Sequence, residues 1–283
     1  MNNQVIWKWS SGMTALLALL LGGCVIVCDS CSAPPHKAER TVTVSGDMAT
    51  EVLLSAQTSN GNIKVQGQES AGCEVTAHIT ARGNTEQEAR EMADGVEVTL
   101  VPSEQSLKID IKKPESELSK HIGVSLDIKM LGQNRLDLKT SNGNIDIGDI
   151  SRGITLHTSN GNINLNHIAG PIAAYTTNGN VDCRDVGKDF QARTSNGNVN
   201  VIFSESAEGA SRIDIETSNG SIRVTPPKSF SAAVDAATSN GKVTCDRAIT
   251  VQGDISKNSL RGTLGTGEGT CRLHTSNGSI HIH

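Results

Sequence analysis

Apolar and polar residues alternate along most of the chain in short runs, and the runs come in pairs around one recurring hexapeptide. T-[ST]-N-G-x-[IV] begins at Thr58, Thr140, Thr158, Thr176, Thr194, Thr217, Thr238 and Thr275. Four residues before each Thr stand Leu54, Leu136, Ile154, Ile172, Phe190, Ile213, Val234 and Cys271, and two before stand Ala56, Leu138, Leu156, Ala174, Ala192, Ile215, Ala236 and Leu273. Five and seven residues after each Thr the chain is apolar again, from Ile63 and Val65 through Val181 and Cys183 to Val243 and Cys245, and Ile280 and Ile282. Polar residues such as Lys64, Asp146, Asn164, Asp182, Asn200, Arg223, Thr244 and His281 lie between them. Period-two alternation on both sides of a turn predicts two short strands per unit, each with one buried and one wet face.

Two architectures bury that face. Asn-Gly between alternating strands is a strong signal for a two-residue hairpin, hence a meandering antiparallel sheet. The alternative is a β-solenoid in which each unit is one coil. The spacings favour the solenoid: three successive intervals are 18 residues and the later ones are 23, 21 and 37, a fixed unit with loop insertions. So does the motif, because a hairpin needs only Asn-Gly whereas here Thr, Ser or Thr, Asn and Gly recur together. The expected corners are Asn60-Gly61, Asn142-Gly143, Asn160-Gly161, Asn178-Gly179, Asn196-Gly197, Asn219-Gly220, Asn240-Gly241 and Asn277-Gly278. Stacked Asn residues predict hydrogen-bonded ladders, and Gly predicts a positive φ at a sharp corner. A further column, Ile150, Ile168 and Val186, predicts a third short side.

Residues 66–131 interrupt the repeat. Strand-like runs at 73–81, 96–101, 107–112 and 122–130 surround a short helix over 85–94, with Asn84 as its cap and Gly95 closing it. A solenoid must cover its open ends, and this segment is the expected cap. A strand-rich first half, a short helix, the hydrophobic strand Val124-Ser-Leu-Asp-Ile-Lys-Met-Leu131 and serial T-S-N-G-x-I units together resemble the bacterial "putative adhesin" family, a domain of unknown function built of β-strand repeats. The resemblance covers residues 41–283 and implies an envelope location and a β-solenoid rather than an activity.

The beginning of the chain belongs to export. Lys8 is followed by an apolar stretch, Met13 to Leu21, too short to span a bilayer, and then by Leu21-Gly22-Gly23-Cys24. That tetrapeptide resembles a lipobox. The resemblance implies a signal peptide over 1–23, cleavage before Cys24 and acylation of Cys24. Acyl chains hold a protein on a membrane without crossing it, each buried CH₂ contributing about 0.8 kcal/mol. Val25 lacks the Asp common in inner-membrane retention, so in a cell with two membranes the expectation is the outer one. Residues 24–40 read as a tether, with Pro34-Pro35 extended and Cys28 and Cys31 suited to a local disulfide in an oxidising compartment. The division is then a β-rich segment over 41–131, continuous as one domain with the repeat solenoid over 132–283.

Composition narrows the function. A formal net charge of -5, no basic run and 2% aromatic residues give nucleic-acid binding no footprint. No Ser-His-Asp order, Walker loop, Rossmann fingerprint or calcium nonapeptide is present. Asp146 and Asp182 share an outward column with Asn164 and Asn200, which suits a wet strand face as well as a sugar or a cation. His274, His281 and His283 raise the question of a metal, but their columns face solvent and other units put Lys, Asp, Asn or Arg there, so no metal or cofactor is expected. Cys183, Cys245 and Cys271 replace apolar residues in the buried columns, and Cys245 with Cys271 is a candidate disulfide joining adjacent units. The expectation is a non-enzymatic, lipid-anchored envelope protein whose polar surface binds a protein or a glycan of the envelope. An envelope-stress or regulatory component is the alternative, and a glycan-active β-helix enzyme the weaker one.

Overall fold

The computed structural model describes residues 34–205, 207, 212–251 and 256–283. The signal segment, Cys24 and the Cys28–Cys31 pair lie outside the described residues. The described residues are all-β apart from one α-helix, Glu86–Asp94, and one 3-10 turn, Glu117–His121. Its strands form one twelve-stranded and one eleven-stranded sheet. Strands that precede each Asn-Gly corner lie in the twelve-stranded, pre-corner sheet; those that follow it lie in the eleven-stranded, post-corner sheet. The corner therefore carries the chain from one sheet to the other, and no repeat closes on itself as a hairpin. Neighbouring repeats pair in parallel and in register: Leu136 sits opposite Ile154, Thr140 opposite Thr158 and Asn142 opposite Asn160. The apolar columns of both sheets meet in one core, in which Ile63, Ile145, Ile163, Val181, Val199 and Ile222 are fully buried. Each such side chain contributes about 1.5–3 kcal/mol through the surface it removes from water.

The order of stacking departs from the order of the sequence. The Thr58 coil stacks on the Thr140 coil, through Leu53–Asn60 beside Arg135–Asn142, despite the segment between them. The Thr275 coil lies between the Thr217 and Thr238 coils, with Gly269–Asn277 pairing both Arg212–Asn219 and Ala232–Asn240. Serial order, the simplest expectation for a repeat, fails at that point. The chain leaves a slot after Thr217, builds the Thr238 coil and an antiparallel strand, Ser259–Leu264, outside it, and fills the slot last.

Three residues of the motif build the corner. The Asn side chains form an unbroken ladder in which Asn142, Asn160, Asn178, Asn196, Asn219 and Asn277 each donate to the Asn one coil down, with Asn240 donating to Asn277, at 2.8–2.9 Å. The Thr side chains point inward, 2–7% exposed. Thr140, Thr158, Thr176, Thr194, Thr217, Thr238 and Thr275 each donate their hydroxyl to the corner Gly carbonyl of the coil beside them, at 2.8–3.1 Å. The Gly residues are required by proximity more than by φ. At Gly161, Gly179, Gly197 and Gly220 a Cβ would stand 1.9 Å from the corner Gly carbonyl oxygen of the adjacent coil, and these four are outside the positive-φ set. Positive φ, expected for every corner, is confined to Gly61 and Gly278 among them. The position after Gly also forms a ladder, because Asn144, Asn162 and Asn180 donate their amides to the side-chain oxygens of Asn62, Asn144 and Asn162.

A second bend follows nine residues after the Thr. Asp149, His167 and Asp185 take φ of 59°, 55° and 56°. Asp and His tolerate this left-handed region better than branched residues do. The bend turns Ile150, Ile168 and Val186 into the core, all at most 1% exposed. In the next coil the register slips so that Phe203 fills Val186's place, which is where the regular spacing ends.

The segment before Leu131 covers one end of the stack. Gly123–Leu131 pairs in parallel with Ile63–Gln68, then Cys73–Gly83 and His36–Gly46 add antiparallel strands. On the other sheet Ser106–Lys112 and Glu97–Pro102 do the same. The first of these strands starts at His36, so residues 36–40, expected in the tether, pair with Cys73–Gly83 instead. The helix is capped by Thr85 rather than Asn84, since the Thr85 hydroxyl accepts the Glu88 amide at 3.1 Å. Arg40 holds its other end, donating to the Asp94 and Val96 carbonyls at 2.9 and 3.1 Å.

Cys245 and Cys271 are free thiols, so the expected disulfide is not formed. They belong to adjacent coils but to opposite sheets, and the Cys245 thiol turns toward the Arg247 carbonyl at 3.6 Å. Burial pushes the Cys271 thiol up to about 12, with the nearby Cys245 adding to the effect. Cys73 is likewise pushed by burial to about 11, and Cys183 is raised well above its ordinary value.

Candidate functional site

Because the corner residues are committed to holding coils together, the residues free to recognise a ligand are those pointing outward. On the pre-corner sheet the residue before each Thr forms a column in which Lys139, His157, Tyr175, Arg193, Glu216 and His274 stand on successive strands. The His157 and Tyr175 rings stack at 4.7 Å with 12° between their planes. Tyr175 donates its hydroxyl to Gln191 at 2.9 Å. Arg193 lies 3.8 Å from both Asp214 and Glu216, and Arg212 bonds Asp214 at 3.2 Å, so the half-exposed arginines are held by a nearly buried carboxylate. Burial lowers the His157 pKa, Lys139 lowers it further and Asp137 opposes both.

Short side chains beside the rings leave room around them. On one side an open hollow of about 510 Å³ is lined by Asp137, Thr155, Pro171, Ala173, Gln191 and Arg212 among others. On the other a hollow of about 480 Å³ is lined by His157, Tyr175, Thr177, Arg193, Ser195 and Glu216 among others. The stacked rings thus form a ridge, apolar in body and polar at the tip, between two polar-edged depressions. Asp137 Oδ1, at the floor of the first, is buried with no hydrogen-bond partner among the described residues.

The post-corner sheet presents the acidic column. Asn164 donates to Asp146 at 2.6 Å, and the hollow of about 710 Å³ beside them is lined by Lys64, Gln66, Asp146, Asp149, Asp182 and Arg184 among others. At its edge His167 stands between Asp149 at 3.5 Å and Asp185 at 3.6 Å. Gln66 also donates to Asp149. The expected row of Asp146, Asn164, Asp182 and Asn200 is therefore assembled as read, through parallel register. His274 is separated from His281 and His283, because the corner at Asn277-Gly278 places it on the other sheet. Its neighbours are Glu216 and Ala237, not the other histidines.

A chain of parallel coils whose corners repeat one Asn-Gly motif, capped by antiparallel strands and a helix, defines a class of all-β repeat proteins. Residues 36–283 match the Toastrack DUF4097 family, and the chain belongs to it. No curated protein matches the sequence. Among solved structures, a "putative cell adhesion protein" from Clostridium sporogenes is similar with 15% identity and a TM-score of 0.40, over 86% of this chain and 99% of that one. A "putative adhesin" from Bacteroides fragilis has 13% identity and a TM-score of 0.43, over 86% and 97%. A "putative lipid binding protein" from Parabacteroides distasonis has 12% identity and a TM-score of 0.33, over 89% and 98%.

Proposed function

We propose that the chain is a non-enzymatic, lipid-anchored β-solenoid of the bacterial cell envelope whose outward faces bind a glycan or a protein by shallow, multipoint contact. The Tyr175–His157 ridge carries the reading. Tyr175 is the chain's one tyrosine, and it stands on the outside beside an imidazole, with Arg193 and Lys139 at either end of the pair. A flat ring pair flanked by hydroxyls and cations suits a saccharide face or an extended peptide, and the rigid stacking beneath means little ordering cost on binding. Immobilised envelope polysaccharides and intact envelopes test this: Tyr175→Ala with His157→Ala should abolish capture without altering the far-UV spectrum, and unchanged capture would remove the site.

The anchor in this reading is Cys24, which places the solenoid at a membrane surface, the outer membrane where the cell has two. Cys24→Ala should move the protein to the soluble envelope fraction, and retention with membranes would end the lipoprotein claim. One observation favours a second reading, a glycan-active enzyme: Asp146, Asp149 and Asp182 share their hollow with Lys64 and Arg184. Cleavage of an acidic polysaccharide by the wild type, lost in Asp182→Asn, would establish it; no cleavage by the wild type would remove it.

A further inference from the structure

At the far end of the post-corner sheet the chain brings together three donors that no motif connects. We propose that Asp246, His281 and His283 form a binding site for a borderline divalent transition metal, of the zinc, nickel or copper class, which clamps the Ile280–Ile282 strand to the edge strand beside it. His281 and His283 lie two residues apart on either side of the fully buried Ile282, so strand alternation puts both imidazoles on the outward face. Asp246 leaves the neighbouring strand Val243–Cys245, which pairs with Ile280–Ile282 in parallel. Its amide donates to the Ile282 carbonyl at 2.8 Å, and that bond fixes the carboxylate beside the rings.

The donor atoms converge. Asp246 Oδ2 lies 2.9 Å from His281 Nε2 and 3.3 Å from His283 Nδ1, and the three ligand atoms lie within 4.8 Å of one another. With metal–ligand bonds of about 2.0–2.1 Å, ligand atoms around a tetrahedral zinc stand roughly 3.3 Å apart, so only small side-chain rotations are needed. The rings are stacked at 4.0 Å and 17°, so both reach the carboxylate from the same side. The Asp149–His167–Asp185 column offers a contrast: there one imidazole points its two nitrogens at two different acids, and the donors diverge.

Donor chemistry selects the metal class. Two imidazoles and one carboxylate suit zinc, nickel and copper, while calcium and magnesium take all-oxygen sets. Side chains 36–57% exposed leave room for water or a partner's donor at the remaining coordination position. The clamp sits at the edge of the post-corner sheet. The edge strand has three residues, Val243 and Cys245 on it are only partly buried, and Arg223 and Thr244 flank His281 in register without closing the edge.

Calorimetric titration of untagged full-length chain with zinc chloride at pH 8 tests the site, with calcium chloride as the comparison. Saturable one-to-one zinc binding is expected in the wild type and in His274→Ala, whose imidazole lies on the other sheet. His281→Ala and Asp246→Asn should each weaken it at least about tenfold, the scale at which even supporting residues of metal sites act. Zinc should also slow amide exchange in Val243–Cys245 in the wild type and not in Asp246→Asn, an exposed change that leaves the core untouched. Absence of saturable zinc binding, equal affinity in Asp246→Asn, or loss in His274→Ala matching that in His281→Ala would overturn the proposal.

Discussion

Replacing Gly161 by Ala tests why the corner is built as it is. The added Cβ would stand 1.9 Å from the Gly143 oxygen, 2.5 Å from its carbon and 3.1 Å from the Asn144 nitrogen, all backbone of the adjacent coil. No side-chain rotation relieves such a contact, so the two coils must part by roughly 1 Å, enough to forfeit much of the local dispersion energy. Five hydrogen bonds cross that joint at the corner: Thr158 to Gly143 at 3.0 Å, Asn160 to Asn142 at 2.9 Å, the Gly143 amide to Asn160 at 3.0 Å, the Ile145 amide to Asn162 at 2.9 Å and the Asn162 amide to Asn144 at 2.8 Å. Each contributes about 1 kcal/mol net, and overpacking adds about 1–3 kcal/mol. The expected loss is about 3–5 kcal/mol, since the coils cannot part without weakening most of these bonds. Gly148→Ala is the comparison, because there the Cβ meets only the tip of the Gln66 side chain at 3.1 Å. It should stay within about 0.5 kcal/mol, as surface changes do. Urea denaturation followed by far-UV circular dichroism measures both. Stability of Gly161→Ala within about 1 kcal/mol of wild type would refute close backbone stacking as the reason for the glycine, as would equal losses at the two positions.

Two further outcomes follow from the packing. Ending the chain after Glu268 removes a coil that is paired on both sides, so amide protection of Ala232–Asn240 should collapse, whereas a coil at the end of a serial stack would leave it intact; preserved protection would contradict the stacking order. Stability should also fall in alkali. The raised thiols of Cys73, Cys183 and Cys271 stay protonated in the folded chain while the unfolded chain ionises near 9.0, so their contribution is complete below that pH and is lost as pH rises toward the folded values of about 11 and 12. The slope is at most about 1.4 kcal/mol per pH unit for each thiol, and the fall of the denaturation midpoints above about pH 9 and up to about pH 11 should flatten in Cys183→Val with Cys271→Val; an unchanged slope would show that other groups govern the alkaline limb.

What the chain discloses locally and what it withholds have separate physical causes. Alternation with a period of two is visible residue by residue, so Leu54, Ile63 and their equivalents could be assigned to a core from pattern alone. Stacking of like on like made the Asn ladder legible as well, since a side chain that is donor and acceptor at once needs only its own copy as partner. The same sameness hid the order of the coils: the Thr217, Thr238 and Thr275 units carry the same Thr-Ser-Asn-Gly, and nothing in a corner says which corner lies beside it. Only the connection decides that, and the 37 residues from Thr238 to Thr275 allow the chain to build an outer edge before it returns to the inner slot. The reason for the corner glycine was hidden for a related cause, because a backbone approach between coils has no trace in either segment by itself. Asp246 shows the same limit at a site. It is separated by 35 residues from His281, belongs to no motif, and becomes a neighbour only through the parallel pairing of their two strands. What the insertion decides is the flanking: with the last coil inside the stack, His281 stands in register between Arg223 on one strand and Thr244 on the other, so the two histidines sit one strand in from the sheet edge rather than on it.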